Sequence, residues 1–361
     1  MVNAGTLPRL CHRSHGGCMT TIVAGEVLFQ GAVSFDRTAE GLAPVRLPVA
    51  QAGLFPSPDD MLMQRAWSPS GVRLRFATDS SRLRVSIVPA DTGEEQCIFD
   101  LSCGARILDS RTVAPGSDQV DFRLDPSSGN ASASGNDLPV YEIWLHQWHP
   151  TRVSSLQIDD GARFALPPDD RPRWVAYGSS ISMCRTAASP ARTWPAVAAR
   201  EHGLALTSLG FGGQCHLDPL VGMVLRDLPA DLMTLKLGIN VYGGGSLNVR
   251  SYPAAVIGLV RIIRERHPRI PIGVITSIIS PDRERTPNAV GCTLEDYRAM
   301  TRDAVERLRR AGDETLLLFE GTDLFGEADA QLLPDGLHPN PEGYELIGKR
   351  VAELVLPALI R

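Results

Sequence analysis

Between residues 22 and 165, hydrophobic and polar positions alternate with period two. In GVRLRFATDSSRLRVSIVPA, residues 71–90, Val72, Leu74 and Phe76, then Leu83, Val85 and Ile87, are set among arginines and serines. CIFDLSCGARILDSRTV, QVDFRLD and VYEIWLHQW repeat the alternation, and ADTGEE, APGSD and PSSGNASASGND interrupt it with turn-forming residues. Period two places alternate side chains on opposite faces of a strand. Many short strands of this kind with polar turns predict an antiparallel β-sandwich of jelly-roll type.

After LPPDDRPR, a Pro- and charge-rich linker at 166–173, the pattern changes. WVAYG, LALTSLG, LMTLKLG, IPIGVITS and TLLLFEG are continuous apolar runs. TWPAVAAREHG, YPAAVIGLVRIIRERHP, TLEDYRAMTRDAVERLRRAG and NPEGYELIGKRVAELVLPALI carry helical spacing between or after them. Buried strands joined by amphipathic helices predict a parallel sheet with helices on both faces. The expected organisation is therefore a disordered extension (1–21), a sandwich domain (22–165), the linker (166–173) and an α/β domain (174–361).

At 361 residues the chain is long enough for two cores. A formal net charge of −5 argues against nucleic acid as the main partner. No eighteen-residue apolar window predicts a membrane span. MVNAGTLPRLCHRSHGGCMTT lacks the apolar core of a secretory signal, and Met19 is an alternative start. EVLFQG, residues 26–31, resembles a viral-protease cleavage tag but runs on into the alternating pattern and is read as native. Seven cysteines without CxxC or zinc spacing fit reduced thiols in the cytoplasm. Cys97 and Cys103 are read as small buried hydrophobes, with pairing across a hairpin as the alternative.

In a parallel sheet, ligands bind beyond the carboxyl ends of the strands. The ends of these runs carry Gly178-Ser179-Ser180-Ile181-Ser182, the glycine turn GFGGQ (210–214), Gly238-Ile239-Asn240 and, after the last run, DGLHPN (335–340). Taken singly each has a bland reading: Ser180 as a helix N-cap, His338 as a loop histidine, Asn240 and Gly213 as turn residues. Together, in this order, they resemble the SGNH (GDSL) family of serine hydrolases and acyltransferases, over roughly residues 174–360. The resemblance implies a flavodoxin-like three-layer α/β/α fold. It makes Ser180 the nucleophile, His338 the base and then acid, and Asp335 the group that orients the imidazole. It also implies an oxyanion hole of Ser180 N–H, Gly213 N–H and the Asn240 amide. The chain departs from the family at Ser179, where Asp is usual, at Ser208, where Asn often opens the second block, and at Val241, where Asp commonly follows the Asn. No GxSxG elbow is present, which argues against the α/β-hydrolase fold.

Acyl-enzyme chemistry of this kind requires no metal or organic cofactor. The implied partners are a small-molecule acyl donor, such as an acyl thioester of the acyl-CoA type, and a hydroxyl acceptor or an ester substrate. Family members with an N-terminal sandwich include enzymes of acylated carbohydrates and an acyltransferase that decorates an aromatic polyketide. The sequence leaves transferase, esterase (including a carbohydrate deacetylase) and non-catalytic carbohydrate binding open. Residues 280–297, SPDRERTPNAVGCTLEDY, are read as a lid or specificity loop. His216 is read as a wall of the binding pocket, and VYGGGSLN (241–248) as a rim loop rather than a phosphate loop, since it lacks Lys-Ser/Thr. His146, Trp148 and His149 lack metal-ligand spacing.

Overall fold

A computed structural model describes residues 9–12, 19–55, 57, 60–88, 95–124 and 138–360. Most of the turn clusters ADTGEE and PSSGNASASGND lie outside the described residues. Two compact units emerge. The first comprises Met1–Val49, Trp67–Asp170 and Ser189–Ala191; the second comprises Ala50–Ala66, Arg171–Ala188 and Arg192–Arg361.

The first unit holds two antiparallel sheets. One runs in the order Arg9–His12, Met19–Val23, Arg152–Asp159, Gly41–Val45, Ser34–Thr38, with Arg82–Val88 and Gln119–Arg123 branching from it. The other runs Phe164–Ala165, Arg73–Thr78, Val140–Trp144, Cys97–Cys103, Arg106–Val113, and Phe29–Gln30 pairs with Arg73–Thr78. The alternating residues Val72, Leu74, Phe76, Leu83, Val85 and Ile87 all enter one buried cluster drawn from both sheets. The sandwich expected from period two is what forms.

Two expected boundaries are corrected. The extension was expected to be disordered through residue 21. Instead Met19–Val23 is a strand paired with Arg9–His12 and with Arg152–Asp159, and Ile22 is fully buried. A five-residue apolar-ended segment needs no long pattern when a ready-made strand edge accepts it; residues 1–8 and 13–18 lie outside the described residues. The segment Ala50–Ala66, expected in the sandwich, belongs to the second unit. Cys97 and Cys103 occupy the two ends of one strand, about 20 Å apart at strand rise, which excludes a bond between them. His146 and His149 stack with ring centroids 5.3 Å apart, and His146 Nδ1 accepts the Ile98 N–H. Burial pushes His146 down to about 4, so its ring is neutral at pH 7. No metal-binding cluster exists among the described residues.

The second unit contains five parallel strands: β1 (Arg173–Gly178), β2 (Ala205–Gly210), β3 (Leu232–Lys236), β4 (Ile272–Ile275) and β5 (Leu316–Phe319). Their order is 2-1-3-4-5. The chain steps from β1 to β2 in one direction and then from β2 to β3, β4 and β5 in the other. Right-handed crossovers therefore put the first connecting helix on one face and the next three on the opposite face. Contacts agree: α2 (Trp194–Glu201) packs with α7 (Pro341–Leu354), and α5 (Tyr252–Arg264) packs with both α3 (Pro219–Asp227) and α6 (Leu294–Arg310). The result is the flavodoxin-like three-layer fold. The reversal of strand order between β1 and β3 marks the switch point at their carboxyl ends, where ligands bind in such sheets. Among the described residues, no helix is long and apolar enough to cross a membrane.

Candidate active site

Ser180 stands where β1 ends. The chain leaves Gly178 and enters α1 (Ser180–Met183), a single turn. Ser179, at the usual aspartate position, accepts the Ile181 N–H through its hydroxyl at 3.2 Å and caps this turn. A hydroxyl meets the capping requirement as a carboxylate would. Cys184 ends the turn in the left-handed region, φ 59°, with its N–H on the Ser180 carbonyl at 2.8 Å. The α1 backbone rests on glycines. A Cβ at Gly178 would stand 2.3 Å from Ser182 Oγ, and one at Gly210 would stand 2.4 Å from Met183 N. Any side chain there lifts the turn carrying Ser180. The buried Trp194 indole N–H donates to the Ile181 carbonyl at 2.9 Å and ties the turn to the start of α2.

The loop before α7 carries the histidine expected to be the base. His338 Nε2 lies 2.9 Å from Ser180 Oγ, and His338 Nδ1 lies 2.7 Å from Asp335 Oδ2. An ionised carboxylate only accepts, so Nδ1 carries the proton and Nε2 presents its lone pair to the serine hydroxyl. Asp335 Oδ1 also accepts the N–H groups of His338 and Leu337, at 2.7 and 3.0 Å. Burial works to raise Asp335. The bonds from the His338 ring, the His338 N–H and the Leu337 N–H outweigh it and hold the carboxyl down to about 2. Gly336, φ 69°, makes the tight turn between the two groups. Ser280 Oγ donates to the Gly336 carbonyl at 2.7 Å, and Thr186 Oγ1 to the Pro339 carbonyl at 3.0 Å. The triad loop is thus held on both flanks of His338.

The other two expected residues lie on the neighbouring strands' loops. Phe211 N–H donates to the Gly178 carbonyl at 2.8 Å, joining the glycine turn to the end of β1. Gly213, φ 75°, is exposed, and its turn uses the N–H groups of Gln214 and Cys215 but not its own. Asn240 sits in α4 (Ile239–Gly244), after Gly238, φ 114°. Its Oδ1 accepts the Cys215 N–H at 3.0 Å, which fixes the side-chain amide so that its NH₂ is the end left to donate elsewhere. The structure therefore joins Ser180, His338 and Asp335 directly, and ties Asn240 to the Gly213 loop.

The segment 280–297 is not a free lid. Arg298 grips both oxygens of Glu284 at 2.6 Å. Tyr242 Oη donates to the Thr286 carbonyl at 3.0 Å, Asn288 Nδ2 donates to the Tyr242 carbonyl at 3.0 Å, and Thr293 with Asp296 forms a capping box at the start of α6. These bonds make it a fixed wall linking α4 to the triad loop. The two bonds with Tyr242 leave no sign in the sequence, because each joins a side chain to a backbone group in a different loop.

Beneath the site, Lys236 ends β3 on the same face as Gly178. It is 2% exposed, and its Nζ has no hydrogen-bond partner among the described residues. Burial pushes it down to about 8 from an ordinary 10.5. Below about pH 8 both folded and unfolded chains carry the ammonium, and its burial counts fully against folding. From there to about 10.5 the unfolded chain binds more protons, so stability rises with pH. Lys236→Met keeps the volume and removes the charge. It is expected to add about 1–3 kcal/mol at pH 7 and progressively less toward pH 10.5. Urea midpoints across this range check it; a variant no more stable than the parent at pH 7 contradicts the assignment.

An imidazole bonded on one side to a serine hydroxyl and on the other to a carboxylate can move the serine proton and hold the charge that results. That arrangement at the switch point of a 2-1-3-4-5 sheet belongs to serine esterases and acyltransferases. Residues 176–346 match the GDSL-like lipase/acylhydrolase family, and residues 27–146 match the family described as SsfX3, N-terminal domain. The salicylyl-acyltransferase SsfX3 from a tetracycline biosynthetic pathway is 31% identical, with a TM-score of 0.82 over 96% of this chain and 99% of its own. A Bacteroides ovatus protein assigned as a GDSL-like lipase gives a TM-score of 0.73 at 20% identity, over 94% of this chain and 98% of its own. A family two carbohydrate esterase from Clostridium thermocellum gives 0.58 at 14% identity, over 92% and 99%. Comparison with curated protein sequences gives no match. The chain belongs to the GDSL-like lipase/acylhydrolase family and is an enzyme of the GDSL type.

Proposed function

We propose that this enzyme transfers an acyl group from an activated small-molecule donor, of the acyl-thioester class, to a hydroxyl group of a polyketide-type acceptor. The hydrogen-bonded line from Ser180 through His338 to Asp335 carries the reading. The likeness to the salicylyl-acyltransferase across both units favours transfer over plain hydrolysis. The carbohydrate esterases share the fold at 14% identity or less and support no substrate for this chain.

In the scheme, Ser180 Oγ attacks the acyl carbon while its proton passes to His338 Nε2. The carbonyl oxygen becomes an oxyanion facing Ser180 N–H, Gly213 N–H and the Asn240 amide. The C–S bond breaks as the thiol leaves with the proton from His338, and the acyl group remains on Ser180 as an ester. The acceptor hydroxyl then loses its proton to His338 and attacks that ester, and Ser180 leaves with the proton. Every proton moves between groups of the site and the substrates, so the scheme needs no metal or organic cofactor. A non-catalytic carbohydrate-binding role gives no reason for the aligned triad.

Intact-mass spectrometry of the protein mixed with aryl and alkyl acyl thioesters tests the proposal. The expected result is an acyl increment on the peptide holding Ser180, discharged faster by a phenolic or polyketide hydroxyl than by water. Turnover of acetylated sugars, with no increment from any thioester, overturns it in favour of carbohydrate ester hydrolysis.

A further inference from the structure

Gly213 is held differently from the other two oxyanion donors. Ser180 and Asn240 sit in helical turns; Gly213 stands in an open loop, and beyond its own chain neighbours no atom lies within 4 Å of where its Cβ would be. Side-chain packing therefore does not fix it. Its carbonyl is fixed instead, by His216. His216 Nε2 lies 3.0 Å from Gly213 O, and His216 Nδ1 lies 2.7 Å from Ser246 Oγ. A carbonyl only accepts, so Nε2 carries a proton and donates to it, and in the neutral ring Nδ1 accepts the Ser246 hydroxyl proton. The ring edge abuts Gly244, where a Cβ would come within 3.0 Å of His216 Cε1. The next residue, buried Leu217, has φ 62°, a left-handed conformation that residues with side chains rarely take. His216 is thus wedged between the loop after β2 and the loop that ends α4. Its neighbour Cys215 makes a second tie to the same helix through Asn240.

We propose that His216, backed by Ser246, is the positioning residue that anchors the carbonyl side of Gly213, so fixing the backbone at the residue whose N–H is the oxyanion donor and holding it in register with Asn240. The inference rests on the reading of Ser180 as nucleophile and Gly213 as donor. In the transition state a donor must be in place before the oxyanion forms; a glycine with open space around it does not hold itself there.

The test compares His216→Ala, His216→Gln and Ser246→Ala with the wild type, using a p-nitrophenyl ester and a boronic acid that forms a tetrahedral adduct with the active serine. His216→Ala is expected to lower kcat by about 10- to 100-fold, part of what losing a whole oxyanion donor costs, with KM changed less than about twofold. Boronate affinity should weaken by a factor similar to the loss in kcat. His216→Gln, which keeps an N–H donor and an oxygen acceptor, should recover most of both, and Ser246→Ala should fall between. Unchanged kcat and boronate affinity in His216→Ala overturn the proposal. So does a glutamine variant as impaired as the alanine one with an equally lowered melting temperature, since that marks a structural role alone. Fluorophosphonate labelling of the wild type separates the underlying reading: turnover without labelling at Ser180 removes the nucleophile assignment and this inference with it.

Discussion

Ser180→Ala is expected to lower kcat for ester or thioester turnover by about 10⁶-fold, the loss seen when a serine triad loses its nucleophile. The fold should survive the change. Ser180 is half-buried at the rim, the turn is capped by Ser179 rather than by Ser180, and the Ser180 carbonyl still receives the Cys184 N–H. Steady-state kinetics on a chromogenic ester, with thermal melts alongside, measure both quantities. Residual turnover within tenfold of wild type would place the nucleophile elsewhere. Of the neighbouring hydroxyls, Ser179 is 1% exposed and engaged in the cap, and Ser182 is fully buried beneath the turn, so neither can meet a substrate. Among the serines at 179, 180 and 182, burial and the hydrogen bond to His338 both favour Ser180.

Asp335→Asn is expected to lower kcat by about 10⁴-fold with little change in stability. The substituted oxygen at Oδ1 can still accept the N–H groups of His338 and Leu337, so the loop keeps its shape. What changes is the tautomer. An amide NH₂ facing His338 Nδ1 offers a proton where the carboxylate accepted one, which leaves Nε2 protonated and pointing at Ser180 Oγ. A protonated Nε2 cannot take the serine proton. In the wild type, the carboxyl is held at about 2, so it is ionised across the neutral range and contributes no limb to the pH–rate profile above about pH 4. A kcat loss below tenfold in the variant would mean that the imidazole is oriented by something other than Asp335.

The sequence made the triad legible because a parallel sheet converts chain order into spatial order. Once WVAYG, LALTSLG, LMTLKLG and TLLLFEG are strands running the same way, the residues after each of them share one rim. Strand endings alone gather a serine cluster, a glycine turn, an asparagine and an Asp/His pair; the choice of Ser180, Gly213, Asn240 and His338 among them is what the resemblance to the SGNH family implies. The sandwich was legible for a similar reason, since period two records which face is buried. Contacts without a period left no such trace. Ser280 reaches Gly336 across 56 residues, and His216 bonds Gly213 and Ser246 through one side chain. The strand at Met19–Val23 owes its place to an edge supplied by Arg152–Asp159, far away in the chain. The segment 280–297 looked like a lid because its anchors lie in Tyr242 and Arg298, outside the loop or at its end.

The glycine floor under α1 has a consequence for altering this enzyme. Gly178 and Gly210 set the height of the nucleophile above two adjacent strands, and no side chain can be added to either without moving it. The space beside Gly243 is open and its φ lies outside the left-handed region, whereas Gly213 and Gly291, at φ 75° and 76°, strain any side chain despite the room beside them. The rim therefore divides into a stratum closed to mutation and a border that tolerates added bulk. A library aimed at new acyl groups should leave β1, β2, α1 and the His216 partners Gly244 and Ser246 untouched and diversify 243 and the exposed pair 289–290, where a larger side chain is added while the serine stays at its post.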